Sequence, residues 1–586
     1  MSLAKKARTQ RLEDRIFMIL ILGSVLVNIK NIFTGFDLDA EYALVMSYRM
    51  VRGDRMFLQM WEPHQTSAFL SAALIWLYLT LFRTTTGIVV YMNLSGVILK
   101  GAVTLVLYRT LRKYANKKTL ICLCVFYFTF NPKGILLPEF SNMQLWFSTL
   151  LFCSLFYYIR NQEKKRWLLL SGVFLCLEVL SYPSCAIVYF GVLICLILYA
   201  RNRAADILLL TGECVVCGGL YVSYFVSQIG ASELCDNIAE IISGDKSHSG
   251  GTAAKWAGYG RDLAEILVVL LIFAALSWGA VKLYAFVKGM REGRGRLQPR
   301  KEWYVACFFA CHFIQDLFCT LRGTAGLGYQ ATMFVMYGHL IVYLPVCILG
   351  WTLCRFCSEE ESQVCRMGIV LSVFGLAATL ILSNLTVFST LAYGALGVCV
   401  AMLPCGNVIE REVGGVSRTL RYLLVLFCGL TIFRAGFGNC SMTAEAGANV
   451  FGIRGIVKSG PAKGLVSTYM GPYMINTAME EWEQYIEEGD RILLVKNNLM
   501  VGFLGYMYEN TEICVDSTIS TPTYNEKLKR YWEKNPQKQP NVVAVECWYG
   551  DLRVAEDSWI MQWLENEFLA DRVVDGKYWR YYLKEE

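Results

Sequence analysis

Long apolar stretches recur along the first three quarters of the chain, and short polar segments separate them. Most of these stretches are about 17 to 25 residues long, which is the length that an α-helix needs to cross a bilayer. The pattern therefore predicts a polytopic α-helical membrane protein. Basic residues near the amino terminus and in alternate loops place those segments in the cytoplasm by the positive-inside rule.

The loop charges assign a topology to the apolar stretches. The stretch 67–82 is the exception, because if it crossed, the basic loop 109–118 would lie outside. We expect 67–82 to lie in the outer leaflet or to dip into it. About thirteen spans remain, an odd number, so the carboxyl-terminal region is expected outside, with loop 35–66. The predicted spans are 16–33, 87–108, 120–130, 143–159, 167–180, 185–199, 207–226, 263–287, 303–321, 332–353, 367–382, 385–403 and 420–437.

The pattern changes near residue 439. Short apolar strands at 491–495 and 541–546 alternate with predicted helices at 477–488, 524–533 and 560–569. This alternation predicts a small extracytoplasmic α/β domain over 439–586, with a partly parallel sheet. The membrane domain then covers residues 1–438, with outer loops at 35–66, 131–142, 230–262 and 322–331.

Composition agrees with a membrane protein and argues against a nucleic-acid-binding protein and against a zinc site. The chain has 586 residues, of which 55% are hydrophobic and 18% charged. Its net charge of +7 comes from basic loops between spans, so it does not indicate a nucleic-acid partner. The 22 cysteines lie mostly within apolar segments, where they act as small hydrophobic residues, and Cys354 and Cys357 lack a second pair at zinc-ligand spacing. The first apolar stretch has no small-residue cleavage site and is interpreted as a retained span.

An acidic cluster follows the first span. Asp37, Asp39 and Glu41 lie within five residues at the predicted outer surface, where carboxylates near a low-dielectric boundary are costly. Each could act as a base or share a divalent cation. Asp39 could instead simply cap a surface helix. Arg49, Arg52 and Arg55 follow at helical spacing and face either lipid headgroups or a phosphate.

Three further outer loops carry candidate residues, each with a simpler explanation. Glu139 and Asn142 precede the fourth span and could form only a polar turn. Lys246 and His248 lie in a Gly- and Ser-rich loop that could close over a substrate or be an ordinary exposed loop. Arg322 stands beside a glycine at a span end, which suits phosphate binding but also suits a snorkelling arginine.

The first outer loop carries a family resemblance. The run Asp39-Ala40-Glu41-Tyr42, then Arg49, Gly53-Asp54 and Trp61-Glu62-Pro63, resembles the first outer loop of GT-C glycosyltransferases. These include protein O-mannosyltransferases, aminoarabinose transferases and bacterial polysaccharide-modifying transferases. The resemblance covers residues 10 to 230 and extends loosely over the rest of the membrane region. It departs from the family at Ala40, where the family commonly has a second acid.

The resemblance implies an inverting transferase that takes a sugar from a polyprenyl-phosphate donor on the outer face of a bacterial plasma membrane. Asp39 would be the base, with Asp37 and Glu41 in support. The acceptor would be a cell-envelope glycan, a lipid or a protein. A divalent cation, Mg or Mn, would be held by Asp39 and Glu41 if one is used. The expected substrate-binding residues are Arg322, Glu139, Asn142, Arg52, Glu62, His64, Lys246 and His248.

Two other classes fit parts of the pattern. A transporter or flippase would place ionisable residues near the bilayer midplane and show repeat halves. Glu178 and Glu213 lie in or near spans, but no clear repeat is present. A non-catalytic component of envelope polysaccharide assembly would not depend on Asp39.

Overall fold

A computed structural model describes most of the chain. The described residues are 3–34, 36, 38–244, 252–293, 298–324, 337–383, 385–411, 416–438, 440, 449–495, 512–513 and 526–584. The candidate residues Asp37, Lys246 and His248 lie outside this set. Arg322 lies in a described helix, but its side chain is not described.

The membrane region is a helical bundle. Among the described residues, nine helices are long and apolar enough to cross a membrane by length and composition. The count of thirteen crossings stays a prediction, because several of the other predicted spans correspond to shorter or more polar helices. The helices of this region are α1 (Leu3–Phe33), α2 (Leu38–Val51), α3 (Ala68–Phe82), α4 (Ile88–Leu111), α5 (Lys117–Thr129), α6 (Phe140–Arg160), α7 (Arg166–Ser181), α8 (Val188–Tyr199), α9 (Arg203–Ile229), α10 (Ala231–Gly244), α11 (Thr252–Arg291), α12 (Lys301–Thr324), α13 (Tyr343–Leu353), α14 (Glu359–Leu382), α15 (Val387–Thr390), α16 (Ala395–Glu410) and α17 (Val416–Phe437).

Helix α16 forms the centre of the bundle. It is apolar all round and buried along its length, as expected for a helix that contacts protein on every side. Small residues allow its neighbours to approach closely. A methyl group placed on Gly350 would lie 2.5 Å from the Cβ of Ala401, and one on Gly368 would lie 2.7 Å from Val400.

The carboxyl-terminal region folds into a small mixed sheet with flanking helices. Strand β3 is parallel to both β4 and β5, whereas β8 is antiparallel to β5 and β7. The order β4-β3-β5-β8-β7 is the partly parallel arrangement that the sequence pattern predicts. The elements are β1 (Gly455–Ile456), β2 (Val466–Ser467), α18 (Met470–Tyr485), β3 (Arg491–Val495), β4 (Glu512–Ile513), α19 (Glu526–Lys534), β5 (Val542–Trp548), β6 (Asp551–Leu552), α20 (Trp559–Trp563), β7 (Arg572–Asp575) and β8 (Trp579–Leu583).

A buried ionic network joins this domain to the loop after α2. Arg49, near the end of α2, contacts Asp54 at 2.7 Å and Glu62 at 2.6 Å. The side chains of Arg49 and Glu62 are fully buried, and that of Asp54 is 7% exposed. Arg49 also donates to the hydroxyl of Tyr531 in α19 at 3.2 Å. Lys538 reaches Asp54 at 2.6 Å. The carboxyl-terminal domain and loop 35–66 therefore share one face of the bundle.

Both ends of α3 contact segments on that same face. Near its start, the hydroxyl of Ser71 donates to the carbonyl oxygen of Pro138. Just after its end, the N–H of Gly87 donates to the carbonyl oxygen of Gly460 at 3.1 Å, within the carboxyl-terminal domain. Together with the turn that precedes it, α3 is long and apolar enough to cross a membrane. The contacts near its two ends are nevertheless both with segments on one face of the bundle.

Replacing Arg49 with Met should destabilise the protein strongly. The substitution removes the buried cation that contacts Glu62 and leaves Asp54 with Lys538. Breaking a buried ion pair typically costs about 3–5 kcal/mol. We expect a clear drop in the thermal unfolding midpoint of the detergent-solubilised protein, followed by tryptophan fluorescence. Arg52→Met is the matched control, since Arg52 lies just past the same helix end and is exposed. Equal midpoints for the two variants would contradict the structural role of the network.

Candidate functional site

A cavity of about 520 Å³ lies where the outer loops meet the bundle. Its volume is in the range of small-molecule sites. Four charged side chains line it: Asp39, Lys133, Asp316 and Arg434. Aromatic rings form much of the rest of the wall, namely those of Phe130, Tyr337, Tyr343, Tyr393 and Phe427.

Asp39 reaches the cavity from the first turn of α2. A carboxylate is favoured at a helix amino terminus, because the backbone dipole is positive there. Its side chain is 37% exposed and forms an ion pair with the ammonium of Lys133 at 2.5 Å. Asp39 is thus more accessible than Glu41, which is fully buried, and it lies inside the helix instead of capping it.

Lys133 is one of the site residues that the sequence pattern did not single out. It lies in the turn Pro132–Gly134 with φ at +54°, in the left-handed region that non-glycine residues seldom occupy. The ammonium lies 4.7 Å from the centre of the Phe140 ring. Burial would lower the pKa of Lys133, but Asp39, Tyr393 and Glu139 together raise it well above its usual value. Lys133 therefore remains a cation at any physiological pH.

Glu139 caps α6 and lies beside this pair. Its two carboxylate oxygens accept the backbone N–H groups of Ser141 and Asn142, each at 2.8 Å. Burial raises the pKa of Glu139 from about 4.5 to about 7, although Lys133 and the two N–H groups lower it. Asn142 donates to the carbonyl oxygens of Ile135 at 3.0 Å and Leu137 at 2.9 Å. Both residues hold the loop that carries Lys133.

His64 supports the site through an aromatic stack. Its ring lies 4.4 Å from that of Phe140, at an angle of 9°, and 5.5 Å from that of Tyr182. Stacking fixes the Phe140 ring on which Lys133 rests. His64 is therefore near the site, but it acts through Phe140.

Arg434 and Asp316 form a looser pair in another part of the cavity wall. Their nearest atoms are 3.9 Å apart, beyond hydrogen-bond distance. Among the described residues, Nη1 of Arg434 has no hydrogen-bond partner. A guanidinium with an uncommitted N–H group can bind a phosphate oxygen. Sequence analysis missed Arg434 because it belongs to an apolar span.

Other candidate residues lie apart from the cavity lining. Glu41 is fully buried, and Glu62 is committed to Arg49. Arg52 is exposed at the far end of α2, about 20 Å from Asp39 by the helical rise. Asp39 and Glu41 are two residues apart, so their side chains leave α2 about 200° apart. This geometry does not suit one cation held by both.

Comparison with solved structures finds a similarity to an archaeal membrane enzyme. The oligosaccharyltransferase of Archaeoglobus fulgidus in complex with Zn and sulfate is similar with a TM-score of 0.46 and 12% identity, over 91% of this chain and 68% of that chain. Archaeal AglB from the same organism, in complex with an inhibitory peptide and a dolichol-phosphate, gives a TM-score of 0.39 and 11% identity, over 92% and 70%. No protein-family model matches the chain, and no curated protein matches it. At this level of similarity, function has to be read from the side chains of the site.

Glu139→Gln should flatten the pH dependence of stability. In the folded protein Glu139 keeps its proton up to about pH 7, whereas the unfolded chain releases it near 4.5. The folded state therefore binds more protons between these values, and stability falls as pH rises through that window. We expect the unfolding midpoint of the wild type to fall more than that of Glu139→Gln between pH 5 and pH 8. Parallel curves for the two proteins would show that Glu139 does not titrate in this window.

Proposed function

We propose that this protein is a membrane glycosyltransferase that moves a sugar from a polyprenyl-phosphate donor to an acceptor at the outer face of the plasma membrane. The observation that carries the proposal is the lining of one cavity by an accessible carboxylate, Asp39, and by the Arg434 guanidinium, whose Nη1 has no hydrogen-bond partner in the described part of the chain. Sugar transfer from a phosphate carrier needs both groups: a base for the acceptor and a cation for the leaving phosphate.

The helix that forms one wall of the cavity supports a lipid-linked donor. Asp316 and Cys319 of α12 line the cavity. The same helix exposes apolar side chains, with Ile314 at 69% and Phe318 at 53%. An acyl or polyprenyl chain could lie along this exposed surface while its phosphate enters the cavity. A water-soluble nucleotide sugar would have no use for such a surface.

The transfer step assigns each group a role. Asp39 accepts the proton of an acceptor hydroxyl or amide, and the acceptor atom attacks the anomeric carbon. The bond between that carbon and the phosphate oxygen breaks, and the electron pair leaves with the polyprenyl phosphate. Arg434 stabilises the charge that develops on the phosphate. A single displacement inverts the anomeric centre and needs no covalent carboxylate intermediate.

We assign to Arg434 the phosphate contact that the family resemblance implied for Arg322, and the role of Arg322 itself stays a prediction. The side chains of Arg322 and Lys246 are not described, and Arg52 lies at the other end of α2 from Asp39. The carboxyl-terminal domain, which contacts the loop after α2, is the candidate site for the acceptor, whether glycan, lipid or protein. Its position on the same face as loop 35–66 supports this role.

Asp39→Asn should abolish transfer. The amide keeps the size of the side chain but cannot accept the proton, so we expect a loss of at least about 100-fold. Because the acceptor is unidentified, the assay measures slow release of free sugar from polyprenyl-phosphate-linked glucose and mannose, with water as acceptor. Asp236→Asn, an exposed carboxylate in α10, is the control. Full activity of Asp39→Asn would refute the assignment, and movement of intact donor across vesicles without release would favour a flippase.

Arg434→Gln should weaken donor binding. The variant removes a charge-assisted contact to phosphate, and we expect the donor KM to rise by about tenfold or more. Arg434→Lys keeps the charge but loses the planar fork, so an intermediate KM is expected. Initial rates across a range of donor concentrations measure the effect. If both KM and kcat stay unchanged in Arg434→Gln, Arg434 is not part of the phosphate site.

A further inference from the structure

Lys133 places an ammonium against the Asp39 carboxylate, the group that the sequence pattern offered as a ligand for a divalent ion. The residues that the sequence pattern offered as a metal pair, Asp39 and Glu41, leave α2 in different directions, and Glu41 is fully buried. In the described part of the chain, no group of three or more His, Cys, Asp or Glu side chains could hold a metal ion. An ammonium, that of Lys133, does contact the Asp39 carboxylate, at 2.5 Å.

We propose that Lys133 is the resident cation of the transfer site, so that sugar transfer proceeds without a divalent metal. The inference rests on the proposed function and specifies how its site is built. Lys133 donates one N–H group to Asp39, and an ammonium has three. Since Lys133 lines the same cavity, its remaining donors can serve the phosphate oxygen that gains charge as the anomeric bond breaks.

The loop that carries Lys133 is built to hold the ammonium in place. Lys133 has a positive φ, at +54°, and a non-glycine residue keeps this conformation only where the surroundings hold it. Gly134 follows with φ at +77°, which glycine adopts without a steric cost. Lys100 donates to the side chain of Asn131 at 2.5 Å, just before the turn. A methyl group on Gly96 would lie 2.7 Å from the carbonyl carbon of Leu136, so α4 packs directly against the loop backbone.

The surroundings also keep Lys133 charged and oriented. Phe140 presents its ring to the ammonium at 4.7 Å, and His64 stacks on that ring. A cation over an aromatic ring is stabilised by the ring quadrupole. Tyr393, whose hydroxyl donates to Ser141 at 2.8 Å, lines the same cavity. These contacts fix the position of the Lys133 ammonium, whereas a surface lysine that paired with Asp39 would keep a mobile side chain.

The test measures how the rate of sugar release depends on added metal and on the charge of the side chain at position 133. Purified wild-type protein is assayed for release of sugar from polyprenyl-phosphate-linked glucose and mannose, with EDTA and with added Mn²⁺ or Mg²⁺. We expect the rate in EDTA to stay within twofold of the rate with metal. Lys133→Asn removes the charge while placing a residue that tolerates positive φ. We expect its kcat to fall at least 100-fold with a smaller change in donor KM, and no rescue by Mn²⁺.

Two further variants separate a charge effect from a folding effect. Lys133→Arg keeps the cation and should retain more activity than Lys133→Asn at an equal unfolding midpoint. Lys458→Met, at an exposed lysine of the carboxyl-terminal domain, should match the wild type. Loss of wild-type activity in EDTA with recovery in Mn²⁺, or full activity of Lys133→Asn, would overturn this inference and leave the proposed function intact. No sugar release from the wild type under any condition would overturn both.

Discussion

The structure depends on the anchoring of α2 at both ends. At its carboxyl end, Arg49 is buried among Asp54, Glu62 and Tyr531. Tyr531 belongs to the carboxyl-terminal domain and follows Arg49 by 482 residues. Removing these charges from water is costly unless each is paired, so the network forms only when loop and domain are together. At its amino end, Asp39 meets Lys133. The position of the candidate base is therefore fixed by two contacts that lie far apart in sequence.

The same contacts constrain the path of the chain through the membrane. Because loop 35–66 and the carboxyl-terminal domain share one face, an even number of crossings must lie between them. Of the thirteen predicted spans, one precedes this loop and twelve follow it. Twelve is an even number, as this condition requires. A crossing by α3 would make the number odd, and the contacts of Ser71 and Gly87 at the two ends of α3 also argue against it. The topology derived from loop charge stays a prediction, and these contacts are compatible with it.

The sequence was informative where function depends on local pattern. Apolar length predicted the helical bundle, alternation predicted the partly parallel sheet, and the acidic cluster after the first span led to Asp39. Lys133 and Arg434 could not be found in this way. Lys133 meets Asp39 across 94 residues, and its left-handed backbone is set by tertiary packing. Arg434 lies near the end of an apolar helix, where a basic residue is usually explained by contact with headgroups.

The two ion pairs of the cavity differ in a way that suits their proposed roles. Asp39 and Lys133 are in close contact, which holds the carboxylate in one orientation. Asp316 and Arg434 are 3.9 Å apart, so the guanidinium is balanced in charge but not saturated with hydrogen bonds. An anionic phosphate that entered an unbalanced basic cavity would be bound tightly both before and after transfer, which lowers KM without raising kcat. A cavity whose cations are already neutralised binds the donor moderately, and its contacts can strengthen as charge moves onto the leaving phosphate. On the proposed function, charge balance in the cavity therefore favours turnover over tight binding of the donor.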